Sequence, residues 1–132
     1  EKFESIVTSY IRDLDVCILV FDVTSRTSFL RVRHWLDKIK EIILRDIYIC
    51  LIGNKVDLNY REVNEKEIEA FCSENNLDYL ECSAKDSKNI NTIFVNLLQK
   101  VDDKVKLNQI TLRTYAFFEE KIPKKQKCCL IS

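Results

Sequence analysis

Asn54, Lys55 and Asp57, three polar residues within four positions, carry the first candidate chemistry in the sequence. They come directly after an unbroken apolar run, Ile47–Ile52, that stops at Gly53. A carboxylate at Asp57 could accept two parallel hydrogen bonds from a planar donor edge, such as the ring N–H and exocyclic amine of guanine. Adenine lacks that pair of donors and would leave the carboxylate unmatched, which is a source of sharp selectivity. Lys55 could lay its stem on a base face, and Asn54 could tie neighbouring loops together. A second cluster, Ser83-Ala84-Lys85, comes after the short stretch Leu77–Cys82. There Ser83 could hold the Asp57 carboxylate, and Lys85 could help to cover a base. The backbone N–H of Ala84 could approach guanine's carbonyl oxygen, where adenine carries a donor. The adjacent pair Cys128-Cys129 in the ending CCLIS is the third candidate site.

Groups on separate loops can meet only if the elements before them end on one rim. Ile47–Ile52 is too short to span a membrane and rich in β-branched residues, so it reads as a strand buried on both faces. The run VCILVF, Val16–Phe21, has the same signature. Parallel strands are expected at about 16–22, 47–53 and 78–82. Helices are expected between and around them. Phe3, Ile6, Val7, Tyr10 and Ile11 make a stripe over about 2–12. The turn residues Asp22–Ser28 lead into Phe29, Val32, Trp35, Leu36, Ile39, Ile42 and Ile43, a stripe over about 27–44. His34 and Arg33 fall off it and face water. Asn64 and Glu67 make an N-x-x-E variant of the capping box for a helix over 64–75, with Ile68, Phe71 and Cys72 inward. Asn89 is placed to cap a last helix over 89–105, with Ile90, Ile93, Phe94, Leu97, Leu98, Val101 and Val105 on one face. Alternating strands and helices imply right-handed crossovers and a parallel α/β sheet. In such sheets ligands sit beyond the carboxyl ends of the strands, where both polar clusters fall.

At 132 residues the chain is one domain's worth. Its 21 basic and 21 acidic residues cancel, so no global field argues for a nucleic-acid partner. No apolar stretch has the roughly eighteen residues a membrane helix needs, and the charged start is no signal peptide. Six cysteines contain no C-x-x-C pair; Cys17, Cys50, Cys72 and Cys82 read as small buried hydrophobes of a reducing cytosol. The sequence has no methionine, which suggests that it begins after processing or partway along a longer protein.

With both clusters in view, the chain resembles the Ras superfamily of small GTPases, and within it the Rab branch. EKF at the start is similar to the residues just after the family's Asp-x-x-Gly-Gln element. SYIRDLDVCILVFDVTSRTSF resembles the Rab segment from the second switch into the fourth strand and third helix. GNKVDL and ECSAK resemble the guanine-recognition elements, and the double cysteine resembles the lipidation signal. The resemblance covers residues 1–106 as the C-terminal two-thirds of a GTPase domain. Residues 107–132 then form a flexible hypervariable tail ending in a prenylation signal. It implies a partial Ras-like, three-layer α/β fold and a GTP/GDP switch in vesicle-mediated transport. The implied guanine-binding residues are Asn54, Lys55, Asp57, Ser83, Ala84 and Lys85. Implied partners are exchange factors, GTPase-activating proteins, effectors, an escort protein and a GDP-dissociation inhibitor. YIRD leans towards the Golgi-associated Rabs, and the implied location is the cytoplasmic face of Golgi or other endomembranes.

The departures are equally definite. A phosphate-binding G-x-x-x-x-G-K-[ST] loop needs two glycines, and this chain has only Gly53. The switch I threonine, the Asp-x-x-Gly and the water-positioning glutamine are also missing, so no catalytic residue and no Mg²⁺ ligand is expected here. Phosphoryl transfer rests on those parts. The expectation is guanine recognition without GTP hydrolysis, and weak affinity at best. Cys128 and Cys129 are expected to carry two geranylgeranyl groups by the Rab resemblance, although the last four residues also read as a farnesylation box. Two chains suit stable anchoring, and Lys121, Lys124, Lys125 and Lys127 would each add about 1 kcal/mol of attraction to anionic lipid. Two alternatives are a nucleotide-independent GTPase-like interaction module and an incomplete gene product without function of its own. The interaction module would leave the outer edge of the first strand open to aggregation.

Overall fold

In the computed structural model the described residues are 4–55, 57–83, 85, 87–107, 109, 114–115, 125–126 and 128–131, with side chains described for 8–55, 57–83, 85, 90–107 and 109. The elements run α1 (Glu4–Ile11), β1 (Val16–Asp22), α2 (Arg26–Ile42), β2 (Tyr48–Asn54), α3 (Glu65–Asn75), β3 (Asp78–Glu81), α4 (Ser87–Lys106), β4 (Thr114–Tyr115), β5 (Lys125–Gln126) and β6 (Cys128–Ile131). The three expected strands form a parallel sheet, joined by a fourth that the sequence pattern does not announce. The order is β3-β2-β1-β6, with β4 and β5 making a separate antiparallel pair. Strand β6 lies parallel to β1, pairing Val16 with Cys128 through Leu19 with Ile131.

Both apolar runs are strands because each has two faces to bury. Cys17, Leu19 and Phe21 of β1 join Leu51 of β2 in one core, beneath Phe29, Val32, Leu36 and Ile39 of α2 and Ile68 and Phe71 of α3. Val16 and Ile18 join Cys50 and Ile52 in a second core, closed by Ile93, Leu97 and Val101 of α4. Phe29 packs its ring against Phe21 at 5.1 Å and Phe71 at 5.3 Å between centroids, which fixes α2 and α3 over the same face. Cys17, Cys50, Cys72 and Cys82 are free and buried.

Helix ends and faces depart from the expected pattern in four places. α2 stops at Ile42 with Ile43 extended, so Leu44 is 95% exposed rather than on the stripe. Tyr10 is exposed, whereas Ile11 is fully buried and anchors α1. In α4, Phe94 and Leu98 are 42% and 58% exposed. A helix turns about 100° per residue, so packing at Ile93, Leu97 and Val101 rotates their successors off the sheet. The helix also starts at Ser87, which puts Asn89 inside its first turn instead of at the cap. Asn64 does cap α3, accepting from the Lys66 N–H at 2.8 Å. Its expected partner Glu67 is engaged elsewhere, accepting from two guanidinium nitrogens of Arg26, each at 2.8 Å.

Register decides what meets at the rim. Asp22 pairs with Asn54, and Gly53 with Glu81, so the three strands finish nearly level. The Cys82 N–H donates to the Gly53 carbonyl at 2.8 Å, extending the ladder to the start of the second polar cluster. At the opposite end Asp15, nearly inaccessible, is paired with Arg45 at 3.0 Å, and Arg45 also donates to the Leu14 carbonyl. That pair closes the bottom of the sheet.

Candidate guanine-recognition site

The site is built from the carboxyl ends of β1, β2 and β3. Asn54 is the last residue of β2, and its Oδ1 accepts from the Lys55 N–H at 2.8 Å and from the Cys82 thiol at 3.7 Å. Its carbonyl accepts from the Val23 N–H at 3.1 Å. Asn54 therefore joins the ends of all three strands. Lys55 adopts a left-handed backbone, with φ of 65°, which turns the chain sharply away from the sheet. The Leu58 N–H donates to the Lys55 carbonyl at 3.1 Å and closes that turn.

Asp57 sits on the far side of the turn, and the Ser83 hydroxyl donates to its Oδ1 at 2.6 Å. Ser83 is itself buried, so this bond links the two clusters across 26 positions of sequence. The Lys85 N–H donates back to Ser83 Oγ at 3.3 Å, and the Lys85 ammonium lies 4.0 Å from Asp57 Oδ2. The hydroxyl of Ser83, then the nearby lysines, hold the Asp57 carboxyl below the usual carboxylate range. An ionised carboxylate with one oxygen fixed and an exposed rim beside it is suited to a donor pair on a flat ligand. Ala84 lies outside the described residues, as do the side chains of Cys128 and Cys129.

Sequence reading missed the third strand end. Asp22 closes β1 as Asn54 closes β2, and its Oδ2 lies 2.5 Å from the Lys55 ammonium. Its Oδ1 accepts from the Thr24 N–H at 2.8 Å and the Thr24 hydroxyl at 2.6 Å. Desolvation works to raise this carboxyl, but the bonds from Lys55 and Thr24 outweigh it and leave its pKa lowered. The signal was available: Asp22 ends an apolar run just as the Asn54 cluster does, and level strands put the two side by side. A brace also went unread. Glu81 Oε1 accepts from Arg61 and Tyr79, each at 2.7 Å, pinning the loop after Asp57 to β3.

A sequence model of the Ras family matches residues 1–103. The chain belongs to the Ras family. Within it the similarity is to Rab-type small GTPases. The chain is 39% identical over 102 residues to the Ras-related protein Rab-11C of Dictyostelium discoideum, covering 76% of this chain and 46% of that protein. It is 36% identical over 102 residues to the GTP-binding protein ypt3 of Schizosaccharomyces pombe, covering 76% of this chain and 48% of ypt3. To the Ras-related protein Rab-7B of Dictyostelium discoideum it is 34% identical over 136 residues, covering 98% of this chain and 69% of that protein. The chain thus spans about half the length of the first two relatives. The architecture fits a partial Ras-like fold. No helix among the described residues is long and apolar enough to cross a membrane.

The family implies a magnesium ion beside the nucleotide phosphates. Among the described residues no group of three His, Cys, Asp or Glu side chains could hold a metal. Asp22 and Asp57 are each already engaged, by Lys55 and Ser83.

Proposed function

We propose that this chain is the guanine-recognising part of a Rab-like GTP/GDP switch acting in vesicle-mediated membrane transport. The observation that carries the reading is the Ser83–Asp57 hydrogen bond at 2.6 Å, which joins the two loops into one site. Asp57 accepts the paired donors of guanine, Ser83 holds its carboxylate, and the stems of Lys55 and Lys85 cover the ring. The Ala84 N–H serves guanine's carbonyl oxygen. Exclusion of adenine comes from burying an acceptor without a donor to match it. The family's phosphate-binding loop, switch threonine and water-positioning glutamine do not occur in this sequence, and phosphoryl transfer rests on them, so this chain by itself is expected neither to hydrolyse GTP nor to hold Mg²⁺. In the whole protein the partners are those of the family: exchange factors, activating proteins, effectors, escort protein and dissociation inhibitor. Geranylgeranyl groups on Cys128 and Cys129, with the lysines before them, anchor it to the cytoplasmic face of Golgi or related endomembranes.

Titration of the 132-residue chain with GDP and ADP, monitored by amide NMR, tests the reading. GDP should move the signals of Asn54–Asp57 and Ser83–Lys85, weakly, and ADP should not. Equal responses to both nucleotides would refute it, as would GTP turnover by this chain alone.

A further inference from the structure

Among the described residues, Lys55 is a rim lysine whose ammonium is tied to a different strand from its backbone. That backbone is fixed by a left-handed φ of 65°, by its N–H on Asn54 Oδ1 and by its carbonyl under Leu58. At the other end the ammonium meets Asp22 Oδ2 at 2.5 Å. A lysine fixed at both ends has its four-carbon stem drawn out across the gap between the ends of β1 and β2. We propose that Asp22 is a positioning residue for the guanine site, holding the Lys55 ammonium so that the stem forms a ready-made floor for the base.

This rests on the guanine reading above. Asp22 is well placed to hold a charge steadily. Ser28 Oγ accepts from the Asp22 N–H at 2.9 Å, and Thr24 fixes Oδ1 through both its N–H and its hydroxyl. Those contacts would exist for a turn-forming aspartate alone, since an Asx turn needs only Oδ1. The second oxygen is what the turn does not use, and it is the one that Lys55 meets. A free lysine would have to surrender its rotamer freedom when a base docks; a held one has surrendered it already.

The test uses Asp22→Asn, which keeps an acceptor for Thr24 and removes the charge facing Lys55. Two quantities are measured on the whole chain. The first, without nucleotide, is the rate at which an amine-labelling reagent modifies Lys55, read against Lys66 on the exposed side of α3. It should rise about threefold or more in D22N. The second is GDP affinity in D22N, K55M and the double variant. D22N should weaken GDP about two- to fivefold, the range for a half-exposed ion pair, and should add nothing on top of K55M. Unchanged labelling overturns the proposal, and so does an equal loss in both backgrounds, which would mark Asp22 as merely structural. A wild-type chain that binds no GDP refutes the guanine reading instead, while the labelling arm still decides whether Asp22 holds Lys55.

Discussion

Gly53→Ala is the substitution whose effect the structure constrains most tightly. Gly53 lies in β2 and its φ is not positive, so the backbone itself accepts alanine. On backbone grounds alone the change would stabilise the fold by about 0.4–1 kcal/mol, through the unfolded chain. Space decides the opposite sign. A Cβ here would overlap the Tyr79 hydroxyl and stand 2.9 Å from Val23 Cγ1 and 3.2 Å from Tyr79 Cζ. Overpacking of this kind costs about 1–3 kcal/mol. Tyr79 can yield only by giving up its bond to Glu81, worth about 1 kcal/mol at a partly exposed site. The net expectation is a loss of about 1–3 kcal/mol. In urea, with a slope of about 2 kcal/mol per molar, the midpoint should fall by roughly 0.5–1.5 M at unchanged slope. Tyr79→Phe removes the overlapping oxygen but leaves the ring and Val23 in place. The double variant should therefore recover about 0.5 kcal/mol or more relative to the sum of the singles. A G53A chain as stable as wild type, or strictly additive behaviour, would refute the packing argument.

Three further outcomes are expected. Asp22, Asp57, Glu62 and Glu81 all have lowered pKa values: desolvation of Asp22 and Glu81 is outweighed by hydrogen bonds, the Arg26 N–H acts on Glu62, and Ser83 acts on Asp57. A lowered folded value means the stabilisation is complete above the usual carboxylate range of about 4 and is lost as pH falls through the folded values beneath it. Urea midpoints should therefore stay level from neutral pH to about 5 and drop in more acid solution; a rise on acidification would contradict the assignment. Burial pushes the Cys50 thiol up to about 12 and the Cys72 thiol up to about 11, so iodoacetamide at about pH 8 should leave both intact until urea unfolds the chain. Mass spectrometry showing native labelling at the rate of a free thiol would overturn that. Asp57→Asn replaces one acceptor with a donor, so GDP should lose about tenfold or more in affinity and the 2-oxo analogue xanthosine diphosphate should gain. Calorimetry showing no reversal of preference would remove Asp57 from the base contact.

Much of this was legible because the strands have two covered faces. Val16–Asp22 and Tyr48–Asn54 had to be apolar nearly throughout, so a bare run of hydrophobic letters was enough to find them. The rim came from the alternation of elements, and Ser83 with Asp57 came from the chemistry of holding a carboxylate. The illegible part depends on neighbours distant in sequence. Phe94 and Leu98 obey a helical period, but which side of the stripe is covered is set by where the sheet lies, and Leu44 is exposed because α2 stops before it. Asp22 reads as a turn former until strand register puts Lys55 against it. Asp15 looks like an ordinary loop aspartate, and its pairing with Arg45, 30 positions away, helps to make its burial tolerable.

The pairing of Cys128–Ile131 with Val16–Leu19 turns the outer side of β1 into a socket with room for one plug. Backbone donors and acceptors on that side are a finite set, and a ladder bond made to the tail is one withheld from any other strand. Occupancy is therefore exclusive in both directions. A strand arriving from elsewhere must first evict residues 128–131, and while seated those residues are withheld from any other strand. Cys128 and Cys129 thus lie on the backbone that fills the sheet edge, which takes one partner strand at a time.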